Sequence, residues 1–208
     1  FIFRFLRRPL GNLRLVLHDL RKACTQALGE SGPQLFEADR ESVRFIPSAG
    51  IEVDSQAFTD ALPPCQDPHC DKTCVRCLEA VETVAKLYRG QFMAQFELPG
   101  CPEFAEWQEL QQESLRLRMR LMLTRLAICL EENGREDKAL LYSRQLLNLD
   151  PLNEDALRRT MRLLAQAGQR GAALSAFEAF AIALRTEIEL TPEKDTQVLA
   201  EKIRNGQV

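Results

Sequence analysis

Residues 12–24, near the start of the chain, place apolar side chains at helical spacing. Leu13, Leu17, Leu20 and Cys24 follow one another at intervals of four, three and four, which predicts an amphipathic helix. Basic side chains lie on or beside the opposite face: Arg14, His18, Arg21 and Lys22. A solvated helix would show this pattern, and so would a helix that lies in a DNA groove. The stretch alone leaves both interpretations open.

Residues 34–46 predict a β-hairpin. The apolar segments QLFEA and SVRFI flank the polar tip ADRE. Val43 and Phe45 alternate with Arg44, which is the period-two pattern of a half-buried strand. A helix followed by a hairpin with a polar tip is typical of the second half of a winged helix. We therefore predict a partial winged-helix DNA-binding domain over residues 1–54.

Residues 55–74 are interpreted as a linker. They begin with a short helical pattern, SQAFTDAL, for which Asp54 or Ser55 is a suitable N-cap. The segment PPCQDPHCDKTC follows, with three prolines and little periodicity. A domain boundary is therefore predicted in this region.

From residue 75 onward, nearly every segment has helical periodicity, and the longest pattern spans residues 103–133. One apolar stripe of this segment contains Leu115, Met119, Met122, Leu126 and Cys129. A second stripe contains Leu117, Leu121, Thr124 and Ile128. Two stripes predict that this helix has neighbours on two sides.

A repeat follows the long helix. Three pairs of residues recur 34 positions apart: Leu130 and Leu164, Gly134 and Gly168, and Ala139 and Ala173. In each copy the glycine ends one helix, and the alanine lies where two helices approach closely. Thirty-four residues is the period of tetratricopeptide (TPR) helix pairs. The predicted fold is therefore mostly α, with a TPR-like helical array over residues 75–208 after the partial winged helix.

Composition and charge limit the function. Hydrophobic residues at 45% and charged residues at 27% are ordinary for a globular domain. No apolar run approaches the roughly 20 residues that cross a bilayer, so no membrane partner is expected. The net charge of −3 argues against a general polyanion binder. Residues 1–22, however, hold six Arg or Lys and a single Asp, which indicates a basic contact surface or an ordinary solvated face.

Seven cysteines, four of them within thirteen residues, do not fit a secreted disulfide framework and favour a reducing compartment. Five potential metal ligands cluster in and after the linker: Cys65, His69, Cys70, Cys74 and Cys77. Any four of them could hold a structural Zn²⁺, with Cys74-x-x-Cys77 chelating from a helix start. Free or redox-active thiols and inert cysteines are the alternatives.

No catalytic constellation is visible in the sequence. No glycine is followed by the GK[ST] of a phosphate loop, and the two histidines are far apart. We predict that the chain is not an enzyme.

Four blocks carry a family resemblance: LYRGQFMAQF (87–96), residues 103–123, residues 149–180 and ELTPEKDTQVL (189–199). Over about residues 75–205 they resemble the bacterial transcriptional activator domain, the TPR-like domain of SARP-type antibiotic-regulatory activators. In that family the domain follows an OmpR-type winged helix. NLRLVLHDLRKA looks like its recognition helix, and QLFEADRESVRFI looks like its wing.

The resemblance implies a cytoplasmic transcriptional regulator, or a fragment of one, that binds double-stranded DNA. The implied DNA-binding side chains are Arg14, His18, Arg21, Lys22 and Arg44. The TPR-like domain would contact RNA polymerase or another protein partner, or form a homodimer. Only eleven residues precede Asn12, so either the chain is a piece of a larger regulator or this half-domain no longer binds DNA. In the second case the chain would be a protein-interaction or sensory module attached to another output domain.

Overall fold

The computed structural model describes residues 2–4, 10–29, 35–39, 42–46, 51–60 and 75–208. Within these residues the chain forms eight helices and three strands, so it is mostly helical. It divides into two compact units, Phe1–Val53 and Asp54–Val208. Each unit is described by itself below.

The first unit combines one helix with a small sheet. Its elements are β1 (Ile2–Arg4), α1 (Leu10–Leu28), β2 (Phe36–Ala38) and β3 (Ser42–Phe45). The sheet order is β1–β3–β2, and β3 is antiparallel to both neighbours. The predicted helix and both hairpin strands are present. Strand β1 was not predicted, because three residues are too few to show an alternating pattern and the strand forms by pairing with β3.

Local chemistry closes the β2–β3 hairpin. The Asp39 N–H donates to the Ser42 carbonyl at 3.0 Å, and the Ser42 N–H donates to Asp39 Oδ1 at 2.7 Å. Phe36 and Phe45 face each other across the strands, with ring centroids 5.5 Å apart. Such cross-strand aromatic pairs stabilise a short sheet.

The second unit is a stack of helices. Its elements are α2 (Asp54–Asp60), α3 (Val75–Ala85), α4 (Pro102–Glu132), α5 (Glu136–Leu149), α6 (Glu154–Gln166), α7 (Arg170–Ile188) and α8 (Lys194–Arg204). Consecutive helices from α2 to α8 pack together, and α8 also packs against α6. Residues 55–60, which were expected in the linker, lie in this unit. The reason is Phe58, which is 2% exposed and packs in the core against Tyr88.

The 34-residue repeat is present in the structure. Gly134 and Gly168 end α4 and α6 with φ angles of +68° and +75°, which only glycine adopts at little cost. In each copy the residue after the glycine donates its N–H to a carbonyl five positions earlier. These bonds are Arg135 to Leu130 and Gln169 to Leu164, both at 2.8 Å. Ala139 and Ala173 are fully buried in the following helices.

The two stripes of α4 have different environments. The first stripe is in the core: Met119, Met122, Leu126 and Cys129 are buried. On the second stripe, Leu117 and Leu121 are exposed, Leu121 by 67%. The prediction of neighbours on both sides is therefore wrong at these two leucines, because the helices that pack on α4 cover its first stripe.

Ion pairs join helices that are not sequence neighbours. Glu131 on α4 binds both Arg159, at 3.0 Å, and Arg162 of α6. Arg158 of α6 binds Glu193, which precedes α8, at 2.8 Å. These pairs connect α4 to α6, and α6 to the residue before α8.

Candidate functional site

The basic side chains of α1 form one exposed surface. Arg14, His18 and Lys22 are four residues apart, so they share one face of the helix, and all three are exposed. Arg44 is also exposed, at the middle of β3. The first unit therefore presents four of the five predicted DNA-contacting side chains to solvent.

The fifth side chain, Arg21, is placed differently. It is half-buried, and its Nη2 donates to the Phe36 carbonyl of β2 at 2.8 Å. Its buried Nε has no hydrogen-bond partner among the described residues. Arg21 thus connects α1 to the hairpin, which is a positioning role that helical spacing alone could not predict.

Arg21 and Arg44 line a shared depression of 460 Å³ beside the hairpin. The carboxylates of Glu37 and Asp39 line it too. Two guanidinium groups beside two carboxylates make this depression close to neutral, so it is a weaker anion site than the exposed face of α1.

The apolar side of α1 is only partly covered. Leu17 is buried, as the helical stripe predicts, but Leu20 is exposed. Leu15 and Val16 are more exposed still, at 63% and 59%. The helix therefore offers apolar as well as basic side chains for contacts.

Most of the predicted zinc ligands lie outside the part of the chain that the structure describes. Cys65, His69, Cys70 and Cys74 lie outside the described residues, and Cys77 is in the first turn of α3. Within the described part of the chain, no group of three His, Cys, Asp or Glu side chains could hold a metal ion. The zinc site stays a prediction.

A groove of 510 Å³ lies between α3, α4 and α5 of the second unit. Its apolar lining includes Met119, Leu123 and the exposed Leu141, and its polar lining includes Gln145 and Asn148. Tyr142 lines it as well, and burial, helped by the Glu82 carboxylate, raises the pKa of this phenol. The groove therefore combines an apolar floor with neutral amides and with the charged side chains of Glu82 and Lys86.

Residues 53–204 match the family model of the bacterial transcriptional activator domain. The chain belongs to this family. The match spans the second unit from α2 to α8 and leaves most of the first unit outside. The comparison with curated proteins gives no match.

The family is one of transcription regulators and not of enzymes. This fits the prediction that the chain is not an enzyme. The family match also confirms the activator-domain part of the resemblance. The match ends near the expected residue 205 but begins at residue 53, well before the expected start at about residue 75. Among the described helices, none is both long and apolar enough to cross a membrane.

Proposed function

We propose that the chain is a cytoplasmic, DNA-binding transcriptional regulator, or part of one. In this proposal residues 1–54 act as a partial winged helix that reads double-stranded DNA. The observation that supports it most is the exposed face of α1, where Arg14, His18 and Lys22 are aligned at intervals of four. The antiparallel hairpin that follows, with exposed Arg44, has the position of a wing in the chain order.

The chemistry of these side chains suits DNA. A helix fits the major groove, where the arginine fork can pair with guanine edges or clamp a phosphate. Lys22 would bind phosphate as a point charge, and Arg44 would contact the backbone from the hairpin. Arg21 would act indirectly, because its bond to Phe36 holds α1 against β2. Each neutralised phosphate releases counterions, so binding should weaken steeply with salt.

The second unit would supply protein contacts. Stacked helix pairs present grooves to peptides and partner domains. The groove between α3, α4 and α5 is a suitable surface, because Leu141 is exposed there beside the side-chain amides of Gln145 and Asn148. RNA polymerase, another protein or a second copy of the chain would be the partner.

The test is binding to genomic DNA fragments across a salt series. Arg14→Ala and Lys22→Ala should each weaken sequence-selective binding by about five- to tenfold and reduce the salt slope by about one. Arg185→Ala is the matched control, because Arg185 is exposed on α7 of the second unit. It should bind like the unmodified chain. Equal losses in all three variants would indicate only a general charge effect.

The alternative is a protein-interaction or sensory module without its own DNA binding. The exposed Leu15 and Val16 favour it, because they offer an apolar contact surface on the same helix. In that case the DNA experiment would show weak binding that does not depend on Arg14 or Lys22. The regulatory effect would then come from another domain to which this module is attached.

A further inference from the structure

The segment between α3 and α4 is irregular but firmly held. Two glutamines of α4 donate to three of its backbone carbonyls. Gln108 Nε2 donates to Met93 at 2.7 Å and to Phe96 at 3.0 Å, and Gln112 Nε2 donates to Phe92 at 2.8 Å. The loop 87–96 therefore keeps a fixed shape without secondary structure of its own.

Aromatic contacts support the same loop from the α4 side. The Phe92 ring meets Trp107 edge-on, with centroids 5.8 Å apart, and Phe96 meets Phe104 in the same way at 5.6 Å. Met93 has a φ of +49°, a conformation that costs a non-glycine residue about 1–3 kcal/mol. A loop held in this way despite local strain is a preorganised wall.

This wall borders an open cavity of 660 Å³ together with α2 and α4. The volume is within the range of sites for small organic ligands, roughly 300–1,000 Å³. Phe58 is buried at its lining, 5.8 Å from the Tyr88 ring. The other apolar lining residues are Leu87, Phe92, Met93, Ala94, Phe96 and Leu115.

The charges around the cavity cancel. Its charged lining residues are Arg89 and Asp54, and they form an ion pair at 3.1 Å with both partners exposed. The polar lining includes the Tyr88 hydroxyl and the Gln95 side-chain amide. The lining therefore favours a neutral molecule with rings and one or two polar groups, because the charged side chains that line it, Arg89 and Asp54, are paired with each other.

We propose that the cavity between α2 and the loop 87–96 binds an uncharged, ring-containing small molecule. Its rings would pack against Phe92 and Phe96, and its polar group would bond to Tyr88 or Gln95. Because Phe92 also touches Trp107, the chain contains its own reporter: Trp107 is the single tryptophan in the sequence. The proposal does not depend on DNA binding by the first unit.

The experiment uses the full chain and two dyes that share one aromatic frame. N-phenyl-1-naphthylamine is uncharged, and 1-anilinonaphthalene-8-sulfonate carries a sulfonate. We expect the neutral dye to bind saturably and to take up excitation energy from Trp107. The anionic dye should bind at least about tenfold more weakly, since the cavity has no unpaired cation. Equal affinity for both dyes, or no energy transfer from Trp107, would overturn the proposal.

Variants that fill the cavity from opposite walls locate the binding. Ala94→Phe adds a ring from the loop, and Ser55→Phe adds one from α2. Each substitution should lower the affinity for the neutral dye by about tenfold or more. The matched control is Ala179→Phe, because Ala179 is exposed on α7 outside this lining. The proposal would be wrong if Ala179→Phe weakened dye binding as much as the two filling variants did. It would also be wrong if neither filling variant weakened dye binding, because the dye would then bind elsewhere.

Discussion

The two units bury their apolar side chains to very different degrees. Among the described residues of the first unit, Leu17 and Leu35 are the buried apolar side chains. The second unit contains two continuous clusters, one centred on α4 and α5 and the other on α6, α7 and α8. Leu15 and Val16 of α1 stay in solvent, whereas Leu130 and Leu164 at equivalent repeat positions are almost completely buried.

This difference separates a well-packed unit from a unit whose exposed side chains are those proposed to make contacts. The family match covers the well-packed unit, so the features that define the family are mainly those of a helical stack. The first unit lies mostly outside the match and exposes both basic and apolar side chains on one helix. Adjacent exposed apolar side chains mark a contact surface only where they form a contiguous patch, and Leu15 and Val16 are neighbours on α1.

The largest effect should come from the core of the stack. Leu164→Ala should lower the free energy of unfolding by about 2–5 kcal/mol, because it leaves a cavity where Leu164 is 1% exposed. Leu15→Ala on α1 should change it by less than about 0.5 kcal/mol. Urea unfolding followed by circular dichroism would measure both values. A large loss from Leu15→Ala would mean that this face is covered, and the contrast between the units would fail.

The sequence was most informative where one signal repeats. Gly134 and Gly168 have similar positive φ angles and equivalent capping bonds, because each ends a helix before a helix that contains a buried alanine. A spacing of 34 residues is therefore enough to place α5, α6 and α7. The first stripe of α4 was predictable for a similar reason, since Met119, Met122 and Leu126 all lie in one core.

The remaining predictions depended on tertiary contacts, which the sequence pattern does not show. Periodicity gave Arg21 the same basic role as Lys22, but the carbonyl of Phe36 is close enough to bond the first and not the second. Leu121 has the spacing of a core residue, yet it is exposed, because spacing does not tell which face gains a partner. The cavity could not be predicted, since its wall is an irregular loop held by side chains of Gln108 and Gln112.

A smaller effect should separate the repeat glycine Gly168 from Gly171, a glycine inside a helix. Gly168→Ala should lower the free energy of unfolding by about 1–2 kcal/mol, because an alanine at a φ of +75° has its Cβ too close to the backbone. Gly171→Ala is the matched control, three residues away inside α7 with open space around its Cα. It should leave stability unchanged or raise it by up to about 1 kcal/mol. Thermal unfolding of both variants would measure the difference, and equal shifts would refute the capping role of Gly168.

The smallest effect is a property of the second unit alone, since the two tyrosines of the chain, Tyr88 and Tyr142, both lie there. Burial raises the pKa of Tyr88, and burial together with the Glu82 carboxylate raises the pKa of Tyr142. In the unfolded chain both phenols titrate near pH 10. Because the folded-state pKa values are raised, the two neutral phenols contribute to stability fully below pH 10. This contribution is lost as the pH rises through the folded pKa values.

Phenolate absorbance would measure this difference directly. We expect the native chain to titrate at a higher pH than the same chain in urea, and Tyr142→Phe to remove the part of the shift that depends on Glu82. The control is Glu79→Gln, since Glu79 is an exposed carboxylate on the same helix, α3, as Glu82. Its midpoint should equal that of the unmodified chain. A native midpoint at or below that in urea would show that the two phenols are hydrated, and the second unit would then be packed more loosely around α3 than its core indicates.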